Sequence, residues 1–203
     1  ALATLELQEE DENAALADEK GVYSIARAGF SAAHRTYTPN LSAEENEALY
    51  GRCALPGGHG HNYVVQAALP DVQDFPSWLI EELDHRNLSS DIPALQSSNV
   101  STEALARLIA GHTPRASWVR VWETPDFYAE YLPQTDRYRL GRRYRFHAAH
   151  RLDSPALSAE QNQALYGKCN RPDPHGHTYL VQVSVESSLD PLTGTAFDLA
   201  ALD

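Results

Sequence analysis

"GRCALPGGHGHNYVVQA" (residues 51–67) and "GKCNRPDPHGHTYLVQV" (residues 167–183) are two versions of one pattern: a cysteine, five variable residues, His-Gly-His and a β-prone run. On an extended strand, residues two apart point to the same side. His59 with His61, and His175 with His177, therefore present both imidazoles to one point, and the intervening glycine adds no bulk. An isolated HxH is also compatible with histidines that only hydrogen-bond a loop. The pattern says more because a third histidine, His34, ends the preceding run "FSAAH", and His150 repeats it, so that six of the nine histidines fall in matched triplets. Three neutral imidazoles favour Zn²⁺ and leave its fourth position open, as in catalytic rather than closed structural sites.

The repeat extends well beyond the motif. Phe30 aligns with Phe146, an offset of 116 residues, and residues 30–69 match residues 146–185 at 23 of 40 positions. Each copy is expected to begin with a strand (22–33 and 138–149) and to continue into a short helix. A capping box opens that helix, Ser42 with Glu45 and Ser158 with Gln161. The motif loop and a second strand follow (63–69 and 179–185). The first copy goes on to a helix over 78–83, the loop "LDHRNLSSDIP" and a helix from Ser101 whose Leu105, Leu108 and Ile109 share a face until near Gly111. The strand "SWVRVWE" closes it, with Val119, Val121 and Glu123 alternating onto one side. The second copy reaches Asp203 just after "TGTAFDLAALD" and is expected to be the N-terminal half of a unit. The expected division is an acidic segment over 1–18, a first unit over 20–135 and a second over 138–203. Residues 1–17 loosely echo 119–131, with Glu9 opposite Glu123. They read either as the tail of another unit or as an acidic N-terminus.

Composition bounds the function. A chain of 203 residues with 42% apolar content can bury a core. A net charge of −12 argues against a nucleic-acid surface, which needs clustered Lys and Arg. No run approaches the roughly 20 apolar residues that span a bilayer, and no signal peptide is evident, so the expectation is a soluble, cytoplasmic protein without membrane partners. The two cysteines occupy equivalent places, which favours one chemical role used twice over a disulfide.

Several residue types leave alternatives open. Cys53 and Cys169 read as fourth zinc ligands in closed Cys-His₃ sites, as thiolates that remove protons beside the ion, or as small buried apolar side chains. Asp84 and His85 in "LDHRNL" are either a solvated pair ending a helix or a carboxylate–imidazole proton-transfer pair. Glu123 is either a solvated strand end or an acceptor for the paired N–H donors of a flat heterocycle. Arg137, Arg139, Arg142, Arg143, Arg145 and Arg151 form a solvated strand face or, in an acidic chain, the best local place to hold a polyphosphate.

Taken together, "FSAAH…LYGRC…HGHNY…LDHRNL…VWET" resembles the family of 6-pyruvoyl-tetrahydropterin synthase and 6-carboxy-tetrahydropterin synthase, the tunnelling-fold pterin enzymes. The resemblance covers most of residues 22–131 and 139–203, the second copy including the strand hairpin. It implies an α+β tunnelling fold, with an antiparallel four-stranded sheet and helices per unit, tandem units that close a barrel with others, and active sites between units. By that resemblance His34, His59 and His61, and His150, His175 and His177, hold Zn²⁺. Cys53 and Cys169 abstract protons, while Asp84 and His85, often serving a neighbouring unit, complete proton transfer. Glu123 anchors the pterin, and Thr102 and Glu103 line its pocket. The implied reaction is a zinc-dependent lyase step, loss of triphosphate from 7,8-dihydroneopterin triphosphate to give 6-pyruvoyl-tetrahydropterin. The alternatives are formation of 6-carboxy-tetrahydropterin in the queuosine route and a non-catalytic zinc- or pterin-binding protein. Five residues between Cys and HGH resemble the pyruvoyl-forming type. A homo-oligomer, such as three two-unit chains, is the implied assembly. The first copy departs from the family in having no hairpin after Leu69, where "QAALPDVQ" runs straight into "DFPSW", in "NLS" for "NLN", and in the compressed Thr102-Glu103-Ala104.

Overall fold

The structure, a computed structural model, describes residues 4–8, 14–71 and 77–202. Glu9, aligned with Glu123 in sequence, lies outside the described residues. The chain divides into two compact units, Ala1–Arg142 together with Ser184–Asp203, and Arg143–Val183. These units do not follow the two copies, since the last residues of the second copy cluster with the first.

In the first unit the order is β1 (Thr4–Gln8), β2 (Ala14–Asp18), β3 (Gly21–His34), α1 (Ala43–Tyr50), β4 (His59–Leu69), α2 (Trp78–Leu83), β5 (Arg86–Asn87), α3 (Leu88–Asp91), α4 (Thr102–His112), β6 (Trp118–Thr124), β7 (Phe127–Leu132) and the start of β8 (Arg137–His150). The strands pair antiparallel in the order β1-β2-β3-β4-β6-β7-β8, with the short β5 parallel to β3. This is the α+β arrangement expected. Phe30, Tyr63, Val65, Val119, Val121 and Leu140 form one buried face, and Leu79, Leu83, Leu105 and Ile109 of the helices pack onto it. On α4, Leu105 and Ile109 are fully buried and Leu108 is partly so, as the shared face requires. The helix runs one residue past Gly111, to His112, because the Thr113 N–H still reaches the Ala110 carbonyl and the Thr113 hydroxyl that of Ile109.

The opposite face of the sheet buries a smaller apolar group, Leu16, Ile25, Ala68 and Trp118. Beside it Glu130 is completely buried, gripped by Arg120 at 2.7 Å and Arg139 at 2.5 Å. Arg139 and Arg137 also reach Glu186, at 3.1 and 3.0 Å. Two of the six clustered arginines therefore neutralise carboxylates of the sheet.

The β1 and β2 strands lie in the segment that reads in sequence either as an echo of residues 119–131 or as an acidic N-terminus. β2 pairs with β3 through Ala14–Asp18, much as β7 pairs with β8 through Phe127–Leu132.

The second unit holds the outer part of β8, α5 (Ala159–Tyr166) and the first part of β9 (His175–Ser187). It repeats local details of the first. Both capping boxes form. Gly51 and Gly167 end the two helices at φ of 55° and 53°, a left-handed conformation that favours glycine. Buried Asn46 and Asn162 accept from the Thr38 and Ser154 N–H groups at 2.8 and 2.7 Å. Phe30 stacks on Tyr63 at 5.0 Å, and Phe146 on Tyr179 at 5.1 Å.

Candidate functional site

The first histidine triplet is assembled by strand register. His34 lies directly opposite His59 in the β3–β4 ladder, and His61 faces Ala32 two residues along on the same side. β4 thus begins at His59, four residues before the sequence pattern suggested, because the HGH stretch itself pairs with β3. His34 is 3% exposed, and its Nδ1–H donates to the Val100 carbonyl at 2.7 Å. That bond fixes the tautomer and turns the Nε2 lone pair toward His59 Nε2, 3.1 Å away. His61 Nε2 lies 3.2 Å from Glu123 Oε1 without hydrogen-bond alignment, so it stays buried without a partner, as does His59 Nδ1. Burial, followed by the neighbouring imidazoles, lowers the pKa of His59; burial likewise lowers that of His61, against the pull of Glu123. Neutral imidazole is the form that ligates metals.

His34, His59, His61 and Glu123 each offer a ligand atom, all within 4.8 Å of one another, and His150, His175 and His177 do the same in the second unit. There His150 Nε2 and His175 Nε2 are again 3.1 Å apart. An unpartnered buried nitrogen aimed into a set of borderline nitrogen and oxygen donors fits a divalent ion such as zinc. Cys53 is not in the first group, nor Cys169 in the second.

Glu123 reaches the cluster through an irregularity that sequence did not reveal. The β6–β7 register shifts between Trp122 and Thr124, so Glu123 is the extra residue of a bulge, the device that re-aims side chains at strand ends. The Thr102 hydroxyl, at the start of α4, hydrogen-bonds Glu123 Oε2. Beyond Glu123 opens a cavity of about 620 Å³ whose walls include Cys53, Thr102, Glu103 and Glu123. Cys53 sits on a 3₁₀ turn, Gly51–Ala54, and its carbonyl accepts from the Thr36 N–H at 2.9 Å. Cys169 repeats that bond to Leu152, also at 2.9 Å. Burial and, after it, the negative charge of Glu123 push the Cys53 thiol pKa up.

Glu103 is fully buried, with one oxygen accepting from the Ala196 N–H at 2.9 Å. Burial raises its pKa, and the hydrogen bonds it accepts offset this only in part. A carboxyl whose folded pKa lies above its unfolded value stabilises the fold at low pH and loses that contribution as pH rises through the folded value. Glu103→Gln keeps the acceptor without the charge. It is expected to melt with wild type below about pH 4 and several degrees higher at pH 7, at about 2–4 °C per kcal/mol for a chain of this size. Equal melting midpoints at pH 7 would contradict this reading.

Asp84 and His85 stand apart from the cavity walls. Asp84 Oδ1 accepts from the Ser31 N–H at 2.8 Å, and its Oδ2 pairs with His85 Nδ1 at 2.7 Å. The Ser31 N–H, with His85 adding to it, holds Asp84 below the usual carboxylate range. His85, at φ 57°, presents an 83% exposed side chain at the β3–β5 edge. The pair is built and pre-oriented, on an open edge of the unit.

The family model described as 6-pyruvoyl tetrahydropterin synthase matches residues 67–134 and 139–203. The human 6-pyruvoyl tetrahydrobiopterin synthase is 50% identical over 32% of this chain and 44% of its own length. The corresponding Dictyostelium discoideum protein is 34% identical over 39% of this chain and 69% of its own. This chain thus spans less than half the length of the human relative. The structure of Caenorhabditis elegans 6-pyruvoyl tetrahydropterin synthase is similar at a TM-score of 0.50 and 28% identity, covering 54% of this chain and 94% of that one. Its likeness identifies the curled antiparallel sheet with helices on one face as the tunnelling fold. Two adjoining family segments in one chain fit a tandem duplication, and with them this chain belongs to the 6-pyruvoyl tetrahydropterin synthase family.

Proposed function

We propose that this chain is a zinc-dependent pterin lyase, converting 7,8-dihydroneopterin triphosphate to 6-pyruvoyl-tetrahydropterin with loss of triphosphate. The observation that carries the reading is a converging His34–His59–His61 triplet beside a cavity walled by Cys53 and Glu123, in a chain of this family. The triplets hold zinc, His34 positioned by the Val100 carbonyl. Bound zinc supplies a Lewis acid that polarises the substrate's side-chain hydroxyls and acidifies the neighbouring C–H bonds.

The remaining roles belong to the chain's own groups. Cys53 Sγ takes the carbon-bound proton, and His85 returns a proton, its Nδ1 held by Asp84. Glu123, steadied by Thr102, accepts the paired N–H donors of the pterin edge, and Thr102 and Glu103 line the same pocket. The exposed Asp84–His85 edge serves the site of a neighbouring unit, which supports a homo-oligomer such as three two-unit chains around a barrel. We read β1 and β2 as closing strands of another unit, because β2 pairs with β3 as β7 pairs with β8. Cys169 with His150, His175 and His177 repeats the arrangement as a second site. The five-residue spacing in both copies favours the pyruvoyl over the carboxy product.

No helix among the described residues is long and apolar enough to cross a membrane. Elemental analysis of the purified chain is expected to find about two zinc ions per chain, one for each triplet, falling to one in the double variant H59A/H61A. Turnover is expected to stop on chelation and return with zinc. A folded, active chain with no tightly held zinc would overturn the proposal.

A further inference from the structure

The sequence of the first copy lacks the stretch that follows the second strand in the second copy, "QAALPDVQ" running straight into "DFPSW". Part of the wall of the first copy's cavity comes instead from the second copy, residues 190–199, which belong to the same compact unit. We propose that this segment is a working wall of the first site, so that the first copy binds its ligand only with residues lent by the second. The inference rests on the pterin-site reading above for the identity of the ligand, and on geometry alone for the wall itself.

The segment is a self-organised loop. Asp190 N–H donates to the Thr195 carbonyl at 2.9 Å and Gly194 N–H to the Asp190 carbonyl at 2.8 Å. The Asp190 carboxylate accepts from the Leu192 N–H at 2.7 Å. Its outward backbone groups are then met, one after another, by side chains of the first copy. Thr38 Oγ1 donates to the Leu192 carbonyl at 3.1 Å and Asn40 Nδ2 to that of Pro191 at 3.2 Å. Tyr50 and Asn99 both donate to the Thr193 carbonyl, at 2.9 and 2.8 Å. Ser101 Oγ donates to the Gly194 carbonyl at 3.1 Å, and the Ala196 N–H donates to buried Glu103 at 2.9 Å. Ala196 joins the main apolar core, with Leu189, Phe197 and Leu199 packed against it.

Backbone recognition of this density specifies a docked position rather than a passing contact, because the part-buried carbonyls of Leu192, Thr193 and Gly194 would lose hydrogen bonds together if the segment left. The result faces the cavity: Thr193, Thr195, Phe197 and Leu199 line the same space as Cys53 and Glu123. The two copies are therefore unequal, one providing the catalytic motif of this site and the other its lid-like wall.

Gly194 provides the test. It holds φ of 69°, and a Cβ there would meet the Asn99 Cβ at 3.0 Å, so Gly194→Val prises the segment from its seat without touching a motif residue. Tyr50→Phe is a milder second variant that removes one donor to Thr193 and keeps the ring. In the full zinc-loaded chain, hydrogen exchange should show the Gly194 and Ala196 amides protected about 100-fold or more, with protection falling about 10-fold or more in Gly194→Val. Neopterin, measured by its fluorescence, should bind Gly194→Val about 10-fold more weakly and Tyr50→Phe about 3-fold more weakly, with zinc content unchanged. Unprotected amides in wild type, or loosened amides with undiminished neopterin affinity, would overturn the proposal. Protected amides in a wild-type chain that binds no neopterin would support the docked wall and overturn the pterin reading instead.

Discussion

Chains carrying Cys53→Ala and Cys169→Ala together are expected to turn over dihydroneopterin triphosphate about 10²–10⁴-fold more slowly than wild type, the span over which a positioned proton acceptor acts, while keeping their zinc. The expectation follows from where Cys53 stands. It lines the cavity with Glu123 but lies outside the set of converging ligand atoms, which is filled by three histidines and that glutamate. The thiol pKa of Cys53 is pushed up by burial and by Glu123, so a thiolate there needs a compensating positive charge, which a divalent ion held by the triplet would provide. The opposite pattern, zinc lost together with the fold, would make Cys53 a structural fourth ligand. Turnover measured beside zinc content separates the two, since a base and a ligand differ only in the second readout.

The largest stability effect is expected away from the site. Glu130 has no exposed side-chain surface, and Arg120, its 2.7 Å partner, is 11% exposed. Arg120 is confined between the Trp118 and Tyr128 rings, 4.6 and 4.9 Å from their centres, which keeps its guanidinium from turning out to water. Glu130→Ala leaves that charge buried with only the partly exposed Glu6, 3.4 Å away, to pair it, and the expected loss lies toward the lower end of about 3–5 kcal/mol in denaturant unfolding. The half-exposed Arg139 tempers the loss because it can turn to Glu186, which it already touches at 3.1 Å. Glu130→Gln should lose less by retaining an acceptor. A loss below about 1 kcal/mol for Glu130→Ala would show Arg120 to be solvated in the folded chain.

Much of this was legible because the duplication offered two readings of one pattern. The histidine triplets, both capping boxes and the α4 face depend on short-range spacing, and spacing is what a sequence displays. The start of β4 at His59 was missed because glycines and polar residues lower strand propensity locally, while pairing with β3 overrides it. The bulge at Glu123 was not visible either. Alternation correctly put Glu123 on the side of Val121, but only register with β7 shows that it is the extra residue. Neither the Val100 carbonyl that orients His34 nor the Ser31 amide that holds Asp84 has any sequence signal, since backbone groups carry no residue identity. The sequence shows a stretch after the second strand in one copy that the other lacks, but the hairpin its resemblance implied is a loop over residues 190–198, and its seat on the first copy depends on backbone groups that carry no residue identity.

The most direct measurement is mass spectrometry of the products formed when the zinc-loaded chain is incubated with 7,8-dihydroneopterin triphosphate. The result predicted is 6-pyruvoyl-tetrahydropterin with release of triphosphate. A 6-carboxy product would contradict the assignment drawn from the five-residue spacing, and intact substrate with zinc confirmed bound would contradict the lyase itself.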